Sequence, residues 1–141
     1  MVVLDTDHLS LLDRESGVSA HRLAARLSAV ASEGVATTII NFEEQMRGWL
    51  AYLARARTVT DQIEAYSQLA RHLRRYARVT VLDFDAPAAV EFQRLRKTHR
   101  RLGTMDLKIA GIVVARHATL LTRNVSDFRQ IEGLKIEDWT S

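Results

Sequence analysis

Six carboxylates stand close behind apolar runs or helix punctuation. Asp5 and Asp7 follow Val2-Val3-Leu4, Glu43 and Glu44 follow the run Val35 to Ile40, Asp106 follows Gly103, and Asp127 comes a few residues after Thr119 to Leu121. Carboxylates gathered in one place repel unless a proton or a cation neutralises them. The 141 residues include no cysteine, which excludes thiolate zinc sites, cysteine nucleophiles and disulfides. Oxygen donors alone select a hard ion, Mg2+ or Mn2+ rather than zinc. Such an ion keeps several waters and neutralises charge on a phosphoryl oxygen. Seventeen of the 20 Lys and Arg residues are arginine, with clusters at Arg71, Arg74, Arg75 and Arg78 and from Arg94 through Arg101. Arginine forks match phosphate oxygens, and a formal charge of +3 with a pI near 9.7 points the same way. Together these are the ingredients of phosphodiester hydrolysis.

Each acid also has a structural reading. Asp7 can cap the first helix. Glu44 lies three after Asn41, the spacing of a capping box. Asp106 suits a helix N-terminus through the dipole, and Asp127 suits a turn. Asp5 follows a buried strand directly and is the hardest to explain that way. Asp83 and Asp85 flank a helix start and are read as structural. His8, His21, His72, His99 and His117 show no paired metal spacing and are read as helical-surface residues without a catalytic part. Ser10 and Ser126 have no readable histidine–acid partner, and the scattered glycines form no phosphate loop. Trp49 and Tyr66 read as core residues on helix stripes.

The elements that must position these groups follow from periodicity. Val2-Val3-Leu4 reads as a buried strand, and Thr6-Asp7 as the N-cap of a short helix through Leu12. A helix from about Ser19 to Ser32 ends at Gly34. Val35 to Ile40 reads as a second strand, running into an Asn41 N-cap and a helix with Phe42, Met46, Trp49, Leu50 and Leu53 on one stripe. A second helix with Ile63, Tyr66, Leu69, Leu73 and Tyr76 completes a hairpin. Val79 to Leu82 is a third strand. Helices of about Ala88 to Arg100 and Met105 to His117 follow, the second capped by Thr104. Thr119 to Leu121 is a fourth strand, and Leu134 to Ile136 a fifth at an edge. Strands alternating with helices predict one α/β domain over residues 1–141, with a mostly parallel sheet covered on both faces. Ligands of such sheets bind beyond the carboxyl ends of the strands. The first strand brings Asp5 and Asp7 there, the second Glu43 and Glu44, and the fourth Thr122, Asn124 and Asp127. Asp106 opens the helix leading into that fourth strand.

Three segments resemble the PIN-domain proteins, in particular the VapC toxins. VVLDTDHLSLL is similar to their strand-plus-aspartate opening. TTIINFEEQMRG is similar to their second motif, in which a glutamate lies four before a glycine. GTMDLKIAGIVVARHATLLTRNVSDFRQIEGLKIEDW resembles their carboxyl-terminal motif over nearly its whole length. The central hairpin carries no diagnostic pattern. The resemblance implies a PIN-like three-layer sandwich with a sheet of about five strands. It also implies a Mg2+- or Mn2+-dependent endoribonuclease leaving a 5′-phosphate and a 3′-hydroxyl, held inactive by a VapB-like antitoxin and forming a homodimer. The family's metal-site acids fall on Asp5, Glu44, Asp106 and Asp127, with Asp5 and Asp106 as direct ligands. Glu44 is preferred to Glu43 for its spacing to Gly48. Thr122 and Asn124 are the supporting hydrogen-bonding residues. Asn124 stands where many relatives carry another aspartate, and Asp7 where asparagine is common.

Two other readings compete. A phosphoacceptor receiver domain also gathers acids around Mg2+, and Asp83 follows the third strand, but no lysine follows Leu121. A non-catalytic PIN-like binding domain would be favoured by loss of an acid, and all four are present. The amino terminus has no basic region of the signal-peptide kind, and Ile109 to Ala115 is too short to span a bilayer. The expectation is a cytoplasmic protein without a membrane partner.

Overall fold

The computed structural model describes residues 1–14 and 16–141. Five short strands, β1 (Val2–Leu4), β2 (Val35–Thr38), β3 (Thr80–Leu82), β4 (Thr119–Leu121) and β5 (Lys135–Glu137), form one sheet in the order β3-β2-β1-β4-β5. Every pairing is parallel, with Val3 opposite Ala36 on one side and Leu120 on the other. The helices are α1 (Thr6–Asp13), α2 (Val18–Ala29), α3 (Ile39–Arg55), α4 (Val59–Ala77), α5 (Ala86–Thr98), α6 (Thr104–Ala115) and the single turn α7 (Val125–Phe128). Successive strand residues face opposite sides of a sheet, and two cores result. Val3, Ala36 and Leu120 pack with Leu95, Ile109, Ile112 and Val113 beneath α5 and α6. Val2, Leu4 and Leu121 pack with Leu9, Leu23, Leu27, Tyr76 and Trp139 on the other face. Each such side chain, fully buried, contributes on the order of 1.5–3 kcal/mol. The result is the predicted α/β sheet between two helical layers.

Several boundaries differ from the sequence reading, each for a local reason. β2 stops at Thr38 because the Thr38 hydroxyl accepts from the Asn41 backbone N–H at 3.1 Å and so caps α3. Asn41 is therefore inside the helix and is not its cap. Asp5, rather than Thr6 or Asp7, caps α1 by accepting from the Thr6 N–H at 2.9 Å. α6 begins after Gly103, which offers no side-chain cap, so Thr104 is helical. Asp85 caps α5 by accepting from the Ala88 N–H, confirming its structural reading.

α5 and α6 approach closely at Gly111, where a Cβ would lie 2.8 Å from the Ala88 carbonyl oxygen and 3.0 Å from the Phe92 nitrogen. Two histidines read as surface residues are buried, His8 completely and His72 nearly so. The ring of His72 stacks on Phe42 with centroids 5.0 Å apart, and burial, reinforced by Arg75, holds its pKa below the usual value. Conversely Tyr66, read as core, is exposed, as are Ile63 and Leu73 on α4. Among the described residues, no helix is long and apolar enough to cross a membrane.

Candidate active site

The carboxyl edge of the sheet is organised around Asp5, which leaves β1 and is half-buried. Its backbone N–H still belongs to the sheet, donating to the Leu121 carbonyl at 2.9 Å. The Asp5 Oδ1 accepts from the Asn41 side-chain amide at 2.7 Å, and Oδ2 accepts from the Thr122 hydroxyl at 2.8 Å. Both donors are completely buried. Asn41 is itself fixed, because the Thr38 hydroxyl donates to its Oδ1 at 2.7 Å. The neighbouring Thr37 hydroxyl donates to the Leu4 carbonyl at 2.8 Å, tying β2 to β1 just ahead of Asp5. One oxygen of Asp5 is thus held from β2–α3 and the other from β4. Charge-directed hydrogen bonds of this kind fix a carboxylate's rotamer.

The other acids face this centre from separate elements. Glu44 lies on α3, one turn beyond the cap. The side chain is exposed on one side; partial desolvation raises its pKa first, then the charges of Asp5, Asp106 and Glu43, while Arg47 works in the opposite direction. Asp106 sits in the first turn of α6, and its pKa is raised by burial and then by Asp5 and Asp127. Asp127, in α7, accepts from the Asn124 side-chain amide at 3.1 Å, and the Asn124 N–H donates to the Thr122 hydroxyl at 3.0 Å. Asp5 and Asp106 therefore lie close enough to disfavour the charge on Glu44, and Asp5 and Asp127 close enough to disfavour that on Asp106. Among the described residues, none of the four has a salt-bridge partner. Glu43 pairs with Arg47 at 2.5 Å, which separates its role from that of Glu44.

The donor set, carboxylate oxygens without a sulfur or a free imidazole, suits a hard divalent ion. As they stand, no three described His, Asp or Glu side chains are drawn together as a coordination shell. The chemistry of the donor set, oxygen only, with Asp5 held by two buried donors, fits such an ion.

Asp7 neither caps α1 nor joins this group. Its Oδ1 lies 2.6 Å from His8 Nδ1, and its Oδ2 accepts from the Arg123 backbone N–H at 3.0 Å. His8 Nε2 accepts from the Trp139 N–H at 3.0 Å, which places the ring proton on Nδ1, facing Asp7. The sequence reading missed Asn41 as a site residue, although Thr38 three positions before it was the available signal. It also missed Tyr76, whose hydroxyl donates to Gln45 at 2.6 Å. The phenol's pKa is raised, chiefly by burial and also by Asp5 and Glu44, so it borders the acidic pocket.

Known proteins resemble this chain in sequence and in fold. The tRNA(fMet)-specific endonuclease VapC of Salmonella typhimurium is 37% identical over 67 residues, 45% of this chain and 51% of that protein. Ribonuclease VapC2 of Rickettsia felis is 33% identical over 67 residues, 45% of this chain and 50% of that protein. The match thus spans about half the length of these curated relatives. VapBC2 from Rickettsia felis, solved bound to a DNA fragment from its promoter, shares the fold with a TM-score of 0.73. The identity is 24%, over 99% of each chain. The PIN domain pattern matches residues 2–134, and with it the chain belongs to the PIN domain family.

Proposed function

We propose that this chain is a divalent-metal-dependent endoribonuclease, the toxin component of a VapBC-type toxin–antitoxin pair. One observation supports the reading: acids from distant parts of the chain lie near enough for Asp5 and Asp127 to act on Asp106 and for Asp5 and Asp106 to act on Glu44, and among the described residues none of the four forms a salt bridge. The nuclease names of the relatives support it.

Asp5 and Asp106 would hold Mg2+ or Mn2+ directly, with Glu44 and Asp127 completing the pocket. When bound, the ion supplies charge neutralisation at the phosphoryl oxygen and lowers the pKa of water. Asn41 and Thr122 keep both oxygens of Asp5 in one orientation, so this carboxylate is positioned before substrate arrives. Asn124 holds Asp127 in the same way. Glu44 is the proton acceptor for the attacking water, its raised pKa bringing it closer to the working pH of a general base. The exposed apolar side chains of α3 and α4, among them Leu50, Ile63, Tyr66 and Leu73, supply area for a VapB-like antitoxin or a second copy of the chain. The proposed setting is the cytoplasm, with the single PIN domain spanning residues 1–141.

The test is cleavage of RNA by the purified chain in Mn2+ or Mg2+, with EDTA as control, beside Asp5→Asn. The expected result is metal-dependent cleavage that falls to background in the variant, with circular dichroism unchanged. Undiminished cleavage by a metal-supplied Asp5→Asn variant would refute the site.

A further inference from the structure

A broad cleft lies apart from the acidic residues. It occupies about 940 Å³ between the carboxyl-terminal half of α5 and the first turn of α6, lined by Arg96, Lys97, Arg100 and Thr104 over a floor that includes Phe92 and Leu107. A smaller recess of about 270 Å³ continues it, sharing Lys97 and Arg100 and adding Arg101 and Gln130. The two ends matter. Thr104 and Leu107 belong to the same helical turn as Asp106, and Gln130 follows closely on α7, which carries Asp127. A basic trough therefore lies between the elements that bring two of the four acids to the site.

Cations in the last turn of a helix ordinarily serve its dipole, and on a flat surface that explanation would suffice. Three observations go beyond it. The groups line a concavity and include Arg100 and Arg101, which lie beyond the helix. Among the described residues, Arg96, Lys97, Arg100 and Arg101 have no acidic partner, whereas Arg47, Arg71, Arg75, Arg94 and Arg116 each have one. Finally, the Arg96 guanidinium sits over the Phe92 ring, 5.6 Å from its centroid, so its position is restrained before any ligand binds.

We propose that this cleft is the phosphate-binding track for single-stranded RNA, with Arg96, Lys97 and Arg100 gripping the backbone on one side of the scissile bond. The proposal rests on the ribonuclease reading and adds to it the direction from which substrate enters. With an ion in the pocket answering only the scissile phosphate, the neighbouring phosphates of the strand still face repulsion from the acids around it. Cations a short distance along the strand offset that repulsion and set which phosphodiester reaches Asp106.

The experiment uses a double charge reversal, Arg96→Glu with Arg100→Glu, and a control with the same net charge, Arg22→Glu with Arg57→Glu, at exposed positions far along the chain. Binding of a fluorescently labelled single-stranded RNA oligonucleotide is measured by anisotropy in EDTA across a salt series, and cleavage is measured separately in Mn2+. The cleft variant is expected to bind at least roughly tenfold more weakly, with the slope of log affinity against log salt smaller by about 1.4. Its KM for the oligonucleotide should rise with a smaller change in kcat. The control should match wild type in every measurement.

Equal weakening in both double variants would show an effect of net charge alone and overturn the proposal. So would wild-type affinity and salt slope in the cleft variant. A wild-type chain that does not cleave RNA sinks the ribonuclease reading, while loss of binding confined to Arg96→Glu/Arg100→Glu still upholds the track.

Discussion

At the scale of single residues, the two buried donors on Asp5 distinguish a built site from a chance meeting of acids. Asn41→Ala and Thr122→Val each leave one Asp5 oxygen without its partner, and each should lower metal-supplied RNA cleavage by roughly 10–100-fold. Steady-state kinetics beside circular dichroism checks this, and full activity in both variants would remove Asp5 from the centre of the site. The raised pKa values of Glu44 and Asp106 have a thermodynamic consequence. These carboxyls hold protons more tightly in the folded chain than in the unfolded one. The contribution of these two groups to the stability of the metal-free protein therefore falls as pH rises through the carboxylate range towards neutrality. Asp106→Asn removes one of the opposing charges, so at neutral pH and without metal its Tm should exceed that of wild type, with the gap closing in acid. Scanning calorimetry at several pH values decides, and a lower neutral-pH Tm for the variant would mean that Asp106 is not under repulsion.

At the scale of elements, the site depends on where α6 lies, and Gly111 sets that position. A side chain there meets the backbone of α5, which cannot rotate away. Gly111→Val should destabilise the fold by roughly 1–3 kcal/mol and lower activity further than the stability loss explains, because Asp106 moves with the helix. Urea unfolding read against cleavage rate tests both parts. Much of this layer was legible in the sequence. Alternating runs gave the strand count and the parallel sheet, and Val2-Val3-Leu4 placed Asp5 at a carboxyl edge. The helix starts were less so. Thr38 and Asn41 both have the chemistry of a cap, and only tertiary contacts decide that Thr38 caps while Asn41 turns inward to Asp5. His8 carried no signal of burial, since its partners at Asp7 and Trp139 lie at opposite ends of the chain. The amphipathic stripe of α4 promised a core, but one helix neighbour covers only part of it, and Ile63, Tyr66 and Leu73 stay exposed. Periodicity identifies which residues share a face. It does not identify what covers that face.

At the scale of the whole molecule, charge is divided between an acidic sheet edge and a basic trough beside it. A divalent ion that binds the folded chain alone stabilises it by about 2.7 kcal/mol at a hundred times its Kd. Mn2+ should therefore raise the Tm of wild type, and the rise should be lost in Asp5→Asn. Thermal melts with and without the ion need no substrate, and an equal rise in both proteins would place the ion elsewhere. The chain of contacts from Trp139 through His8 and Asp7 to Arg123 joins the segment after β5 to the loop that carries Thr122 and Asn124. The indole of Trp139 is buried, with the Arg26 guanidinium 3.9 Å from its centroid. The protein thus contains its own optical gauge, since a shift of that loop would loosen the Trp139 anchor and alter its emission, leaving Trp49 on α3 as an internal reference.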